Sequence, residues 1–180
     1  VYKRQADLDA AVPVVVAAIV QNSGQTCSAG ARVLVEASIA DIFTKKLKVA
    51  FSELIAGTPD MDLNLGPLIN QSQKQRIEGY CSKADEDGIP LLAIGRISES
   101  APEAGYFVEP RLYGPVPLDH QLAHEEVFGP VLSLIIFEDE DDAVSIANGT
   151  EYGLVAGVWS GDGSRAVRVG RKMVAGQVFI

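Results

Sequence analysis

The stretch Val131-Leu-Ser-Leu-Ile-Ile-Phe137 decides the fold class of this 180-residue chain, because six of its seven residues are apolar. A strand with one face in water alternates apolar and polar residues, whereas a strand of a parallel sheet is covered on both faces and stays apolar throughout. The stretch therefore predicts an inner strand of a mainly parallel sheet, with helices packed on both faces.

Helix-like and strand-like segments alternate on both sides of this strand. The segments with helical spacing or capping residues are 6–22, where Asp7 or Asp9 is the N-cap, 38–55, which Ser38 caps, 71–87, 138–148 and 164–174. The β-rich runs are 31–36, 91–94, 111–113, 154–159 and 177–180. Such alternation predicts one α/β domain.

Charge and hydropathy narrow the classes of partner. The chain has 15 basic and 24 acidic residues, a net charge of −9, which repels the phosphates of nucleic acid and the anionic surface of a membrane. The longest apolar run, residues 10–20, contains a proline and is far shorter than the roughly 20 residues that span a bilayer. We therefore predict a soluble protein that acts on a small molecule, without nucleic acid or membrane as a partner.

The two cysteines, Cys27 and Cys81, form no Cys-x-x-Cys pair, so neither a disulfide framework nor a metal site is predicted. A reducing, cytoplasmic setting fits this pattern. Cys81 lies on the apolar side of its helix and is expected in the core. Cys27 lies in a polar loop between a helix and a strand, where a rigid scaffold presents reactive groups. Its thiolate would be a nucleophile, and the alternative is a small buried apolar side chain.

Two motifs together favour the interpretation of Cys27 as a nucleophile. The segment Gly24-Gln-Thr-Cys-Ser-Ala-Gly30 resembles the Gly-Gln-x-Cys segment of the aldehyde dehydrogenase superfamily, and Glu126-Val-Phe-Gly-Pro-Val131 resembles its Glu-[Ile/Val]-Phe-Gly-Pro segment. Cys27 and Glu126 are 99 positions apart, which is close to the usual separation in that family. The resemblance extends over about residues 6 to 180 and implies an aldehyde-dehydrogenase-like catalytic domain, truncated at both ends.

The resemblance implies a role for each matching residue. The Cys27 thiolate would add to an aldehyde to give a thiohemiacetal. The thiohemiacetal would pass hydride to NAD+ or NADP+ and leave a thioester, which water hydrolyses to the carboxylic acid. The backbone N–H of Cys27 would stabilise the oxyanion. Glu126 would accept hydrogen bonds from the nicotinamide ribose, and Phe128 would pack beside the nicotinamide. Gln73 and Arg76 would also bind cofactor, for which a solvated helix face is the alternative.

The resemblance also implies parts that lie outside this chain. Residues 1–5 fit the family badly and are interpreted as a non-native leader, while residues 6–180 would be a partial catalytic domain. The cofactor-binding domain and the general-base glutamate would be absent. The chain alone is therefore expected to be inactive and prone to aggregate, whereas the full-length enzyme is expected to be a homo-oligomer, a dimer or a tetramer.

Three alternatives remain open from the sequence. In an acylating semialdehyde dehydrogenase, coenzyme A would take the acyl group in place of water. In a cysteine hydrolase, His120 or His124 would activate Cys27, although both histidines are interpreted as surface loop residues. A non-catalytic relative would keep the fold without using Cys27.

Overall fold

A computed structural model of the chain describes residues 6–180, so the interpretation of residues 1–5 as a leader lies outside the described residues. The helices are α1 (Leu8–Val20), α2 (Ala40–Ser52), α3 (Gln71–Glu86), α4 (Gln121–His124), α5 (Glu140–Asn148) and α6 (Gly163–Gly170). The strands are β1 (Arg32–Glu36), β2 (Ile55–Ala56), β3 (Leu91–Ile94), β4 (Arg96–Ile97), β5 (Arg111–Tyr113), β6 (Val131–Phe137), β7 (Val155–Gly157) and β8 (Gln177–Phe179). Short 3-10 turns occupy Gln21–Gly24, Ala37–Ile39 and Pro59–Met61.

The largest sheet has four strands in the order β1-β6-β5-β3. Strand β6 is parallel to β1 on one side and to β5 on the other, while β3 pairs with β5 in the antiparallel direction. Two separate parallel pairs are formed by β2 with β4 and by β7 with β8. The predicted mainly parallel sheet is therefore confirmed, with β3 as its antiparallel edge.

Side chains of β6 point alternately into two halves of the core. Leu132 and Leu134 join an apolar cluster with buried side chains of α1 and α2, whereas Val131 and Ile135 join a second cluster with α3, α4 and α5. All four are at most 1% exposed. Because successive side chains of a strand point to opposite faces, this division confirms that helices cover both faces of the sheet.

The helix starts follow capping chemistry, with one exception. The side chains of Asp7, Asn70, Asp139 and Asp162 accept backbone N–H groups of the first turns of α1, α3, α5 and α6. The prediction that Ser38 caps α2 is wrong. Its hydroxyl lies 3.1 Å from Glu36 Oε1, and a 3-10 turn precedes the helix.

Arg32, the first residue of β1, holds the ends of two helices against the sheet. Its guanidinium donates to the carbonyls of Ala123, Ile146 and Ala147, at 3.0 to 3.3 Å. Partial burial lowers the pKa of Arg32 below its ordinary value. The strand that follows the Cys27 loop is thereby fixed to α4 and α5. Across residues 6–180, none of the helices has the length and apolar character needed to cross a bilayer.

Candidate active site

Cys27 lies exposed in a four-residue turn between α1 and β1. The turn is closed by the N–H of Ala29, which donates to Thr26 O at 2.9 Å, and the N–H of Gly30 ties it to α1 through Ala18 O at 3.1 Å. Within residues 6–180 the backbone N–H of Cys27 has no acceptor. Cys27 therefore combines an exposed side chain with a backbone N–H that is unpaired within residues 6–180.

The backbone reverses direction immediately before this turn. Asn22, Ser23 and Gly24 have φ values of 50°, 57° and 73°, so three successive residues are left-handed. Such a conformation costs free energy for residues other than glycine and persists where the surroundings impose it. The surroundings here are the segment 66–69: Ser23 Oγ donates to Gly66 O at 2.7 Å, and Gln25 Oε1 accepts the N–H of Ile69 at 2.9 Å.

Gly24 brings the Cys27 loop into backbone contact with the segment 126–130. A Cβ atom at Gly24 would lie 2.1 Å from Gly129 O and 2.8 Å from Pro130 N, distances that atoms do not adopt. Only glycine therefore allows this approach. The two sequence motifs, whose Cys27 and Glu126 are 99 positions apart, meet at this contact.

The segment 126–130 is itself tightly constrained. Val127 is 3% exposed, and Phe128 is left-handed with a φ of 59°. A Cβ atom at Gly129 would lie 2.3 Å from Ile77 Cδ1, so this glycine lets the segment lie directly on α3. Glu126 is partly exposed, and within residues 6–180 its carboxylate has neither a hydrogen bond nor an ion pair. The segment that adjoins the Cys27 loop thus carries an unpaired carboxylate and an aromatic ring.

Two side chains of α3 donate hydrogen bonds to this segment, and a third contacts one of them. Gln73 Nε2 donates to Phe128 O at 2.8 Å, and Arg76 donates to Glu126 O at 2.7 Å and also to Val127 O. Tyr80 lies under the guanidinium, 4.9 Å from its carbon to the ring centroid, and its hydroxyl donates to Glu125 Oε2 at 2.6 Å. The structure therefore places Gln73 and Arg76 on main-chain carbonyls of the segment that carries Glu126 and Phe128.

The two histidines lie at the two ends of α4. His120 is not a surface loop residue as interpreted from the sequence, because its side chain is 8% exposed. Its Nδ1 accepts the N–H of Leu122 at the start of α4, and its Nε2 lies 3.3 Å from Asp87 without the alignment of a hydrogen bond. His124 is exposed in the last turn of α4.

Cys81 is 3% exposed in the core, as predicted, and burial raises the pKa of its thiol. Among the described residues 6–180 there is no group of three or more His, Cys, Asp or Glu side chains that could hold a metal ion.

Residues 2–180 match the sequence model of the aldehyde dehydrogenase family. The chain belongs to this family. It is 37% identical over 176 residues to the betaine aldehyde dehydrogenase of Rhizobium leguminosarum bv. trifolii, a match that covers 97% of this chain and 36% of that relative. The chain thus spans just over a third of the length of the curated relatives it matches.

Solved structures of the aldehyde dehydrogenase family share the fold. A Burkholderia cenocepacia protein whose name places it in this family is 54% identical, with a TM-score of 0.96 over 98% of this chain and 37% of that one. The betaine aldehyde dehydrogenase of Staphylococcus aureus, solved in complex with NAD+, is 34% identical with a TM-score of 0.92 over 98% of this chain and 35% of its own. The α/β fold predicted from the sequence is therefore confirmed.

Two features of the site were missed by the sequence analysis. Tyr80 was not singled out from the sequence, yet its hydroxyl contacts Arg76 and Glu125. The spacing of Gln73, Arg76 and Tyr80, three and four residues apart, puts all three on one helix face and was the available signal. The approach of Gly24 to Gly129 joins two glycines of the quoted motifs, but no periodicity indicates that they touch.

Proposed function

We propose that this chain carries the nucleophile and part of the cofactor site of an enzyme that oxidises an aldehyde to a carboxylic acid with NAD or NADP. The observation that carries the proposal is the backbone contact of Gly24 with Gly129. It holds an exposed thiol and an unpaired carboxylate on adjoining loops. A nucleophile and a hydride acceptor must both reach the same carbon atom, so their binding residues need this proximity.

Cys27 would form a covalent bond with the aldehyde carbon through its sulfur. The carbonyl oxygen becomes an oxyanion in this step, and the backbone N–H of Cys27, which has no acceptor within residues 6–180, can donate to it. Loss of hydride from the same carbon leaves a thioester on Cys27. Attack of water on the thioester then releases the acid and returns the thiolate, so that one difficult oxidation is divided into two covalent stages.

Glu126 and Phe128 would bind the cofactor. A carboxylate only accepts hydrogen bonds, which suits the two hydroxyl donors of a ribose, and that of Glu126 is unpaired within the described residues. Phe128 offers a partly exposed ring two residues further on. A bound NAD(P)+ would supply the hydride acceptor. The Staphylococcus aureus relative was solved with NAD+, which supports this assignment, and direct ribose contacts from Gln73 and Arg76 stay a prediction.

Two alternatives differ in the fate of the acyl group or in the base. Transfer to coenzyme A would give an acyl thioester product instead of an acid. A cysteine hydrolase would need a histidine side chain close to the Cys27 thiol. The Nδ1 of His120 instead accepts the N–H of Leu122, and its Nε2 faces Asp87. These contacts argue against His120 as the base of a cysteine-histidine pair.

The test compares Cys27→Ala with Ser28→Ala in the full-length protein, since Ser28 is the exposed neighbour in the same turn. Aldehydes including betaine aldehyde are supplied with NAD+ or NADP+, and NADH or NADPH formation is recorded. Cys27→Ala should lower turnover by at least about a thousandfold, as expected for loss of a covalent nucleophile, while Ser28→Ala should stay within about twofold.

Product analysis separates the alternatives. Intact-mass measurement of the wild-type protein during turnover should show an acyl adduct, which Cys27→Ala lacks. A carboxylic acid product supports water as the acceptor, whereas an acyl-coenzyme A product supports the acylating enzyme. Wild-type oxidation by Cys27→Ala, or an ester-only activity abolished by removing either histidine, would overturn the proposal.

A further inference from the structure

Gln73, Arg76 and Tyr80 form a group on one face of α3 that we call the α3 clamp. They are three and four residues apart, so their side chains leave the helix in the same direction. Asn70 caps the helix by accepting the N–H of Gln73 at 2.8 Å, which fixes the first turn from which the clamp begins. The clamp is therefore carried by a rigid element of sixteen residues.

The clamp binds three successive main-chain carbonyls. Gln73 donates to the carbonyl of Phe128, while Arg76 donates to those of Val127 and Glu126. The contact of Arg76 with the ring and hydroxyl of Tyr80 orients its guanidinium, and Tyr80 also donates to Glu125. Both terminal nitrogens of Arg76 are thus engaged by the protein itself.

The held segment has a conformation that it would not adopt freely. Phe128 is left-handed, which is a rare state for an aromatic residue and persists only where surrounding contacts determine it. Val127 is buried, and Gly129 is pressed against Ile77 of the same helix. Hydrogen bonds from α3 to the carbonyls on either side of this position supply the determining contacts.

We propose that the α3 clamp is a positioning device for the cofactor: it imposes the backbone geometry that aims the Glu126 carboxylate and the Phe128 ring. The inference rests on the proposed function for the identity of the bound group. Arg76 then acts through Glu126 and Phe128, and its loss changes cofactor binding because the segment relaxes. This role differs from that of a direct cofactor ligand, for which the segment would keep its conformation.

The test uses full-length protein carrying Arg76→Met, Arg76→Lys or Gln73→Leu. The matched control is Lys83→Met, because Lys83 is a cation on the same helix that pairs with Asp87 and not with the segment. Two properties are measured: hydrogen exchange of a peptide covering residues 122–132 without cofactor, and KM for NAD(P)+ separately from kcat.

Arg76→Met should accelerate exchange in this peptide by at least about tenfold without cofactor, because donors to two adjacent carbonyls are lost. It should raise KM for the cofactor by about tenfold and change kcat by less than about threefold. Arg76→Lys keeps a cation but cannot donate to both carbonyls from a planar fork, so it should recover only part of each effect. Lys83→Met should match the wild type.

A double variant tests whether Arg76 acts through Glu126. In a Glu126→Gln background, Arg76→Met should raise KM by less than about threefold, since the group that the clamp aims has already been weakened. Additive effects, together with wild-type exchange in the single variant, would overturn the proposal in favour of a direct cofactor ligand. A lower melting temperature with unchanged exchange and unchanged KM would overturn it in favour of a purely structural residue.

The exchange experiment needs neither cofactor nor turnover. If the full-length protein oxidises no aldehyde, the proposed function fails while accelerated exchange still supports the clamp. If oxidation is observed and exchange stays at the wild-type rate, the clamp fails alone. Should Arg76→Met not fold, Gln73→Leu carries the same comparison at Phe128.

Discussion

At the residue scale, Gly24 decides whether the two motifs can meet. Its φ of 73° and the absence of space for a Cβ atom are independent demands for glycine at the same position. The neighbouring Asn22 and Ser23 are also left-handed, and their polar side chains bond to nearby carbonyls, which offsets part of the strain. The approach of the Cys27 loop to the segment 126–130 thus depends on a residue that has no side chain.

Gly24→Ala should destabilise the full-length protein by at least about 2 kcal/mol, because a methyl group meets Gly129 O in a backbone state that alanine resists. Gly79→Ala is the matched control. Gly79 lies within α3 with open space around it, so alanine there should add about 0.5–1 kcal/mol of stability. Urea unfolding measures both changes, and equal shifts in the two variants would contradict the tight approach at Gly24.

The sequence identified the residues with distinctive chemistry and left their contacts open. Cys27, Glu126 and Phe128 stand in motifs where the residue type itself carries the information. The partners of Gln73 and Arg76 are main-chain carbonyls, which every residue has, so no residue type marks them in the sequence. His120 was misinterpreted for the same reason: its Nδ1 accepts a main-chain N–H, and Asp87 lies 33 positions away.

At the element scale, long and strongly patterned segments were the ones predicted well. The apolar run of β6 and the capped helix α3 lie where the sequence placed them. The antiparallel direction of β3 was not predictable, because side-chain periodicity is the same in both directions and the pairing with β5 depends on the chain between them. Strands β2 and β4 have two residues each, which is too short for a sequence pattern, and they are recognised only because they pair with each other.

An ion-pair group connects α5 with α6. The carboxylate of Glu140 accepts hydrogen bonds from Arg168 Nε at 2.7 Å and Nη2 at 2.6 Å, and Arg165 and Lys172 lie within 3.8 Å. Hydrogen bonding from Arg168, with the nearby positive charges, holds the pKa of Glu140 below its ordinary value. The pairing is bidentate, which is a strong arrangement of these two groups.

This group predicts an acid-sensitive contact between α5 and α6. A carboxylate with a lowered pKa in the folded state stabilises that state above its unfolded pKa, about 4.3, and the contribution is lost as pH falls through the folded value. Wild type should therefore be more stable than Glu140→Gln at neutral pH, and the difference should vanish in acid and shrink in high salt.

Glu103→Gln is the control for this measurement, because Glu103 is exposed and has no ion pair among residues 6–180. Thermal unfolding recorded across pH gives the comparison for both variants. A difference between wild type and Glu140→Gln that persists unchanged below the folded pKa would show that the charge of Glu140 is not what connects the helices.

At the scale of the whole molecule, the apolar surface is concentrated towards the end of the chain. Side chains that are about half exposed or more in this part are Tyr152, Leu154, Trp159, Val174, Phe179 and Ile180. They surround the pair β7 and β8, and an isolated two-stranded sheet is marginally stable in water. Since the chain spans just over a third of its curated relatives, we propose that further protein covers this surface in the full-length enzyme.

The 180-residue chain produced alone should therefore self-associate, because exposed apolar side chains of this number and size drive association. Light scattering after size exclusion should show species larger than a monomer that increase with concentration, whereas full-length protein should show one defined assembly. Val174→Ser combined with Phe179→Ser should reduce the association, since these side chains are 72% and 59% exposed. Val49→Ser, at a residue of α2 that is equally exposed but distant in the chain, should leave it unchanged. A monodisperse monomer of the short chain with a sharp, reversible unfolding transition would mean that β7 and β8 are stable without a covering partner.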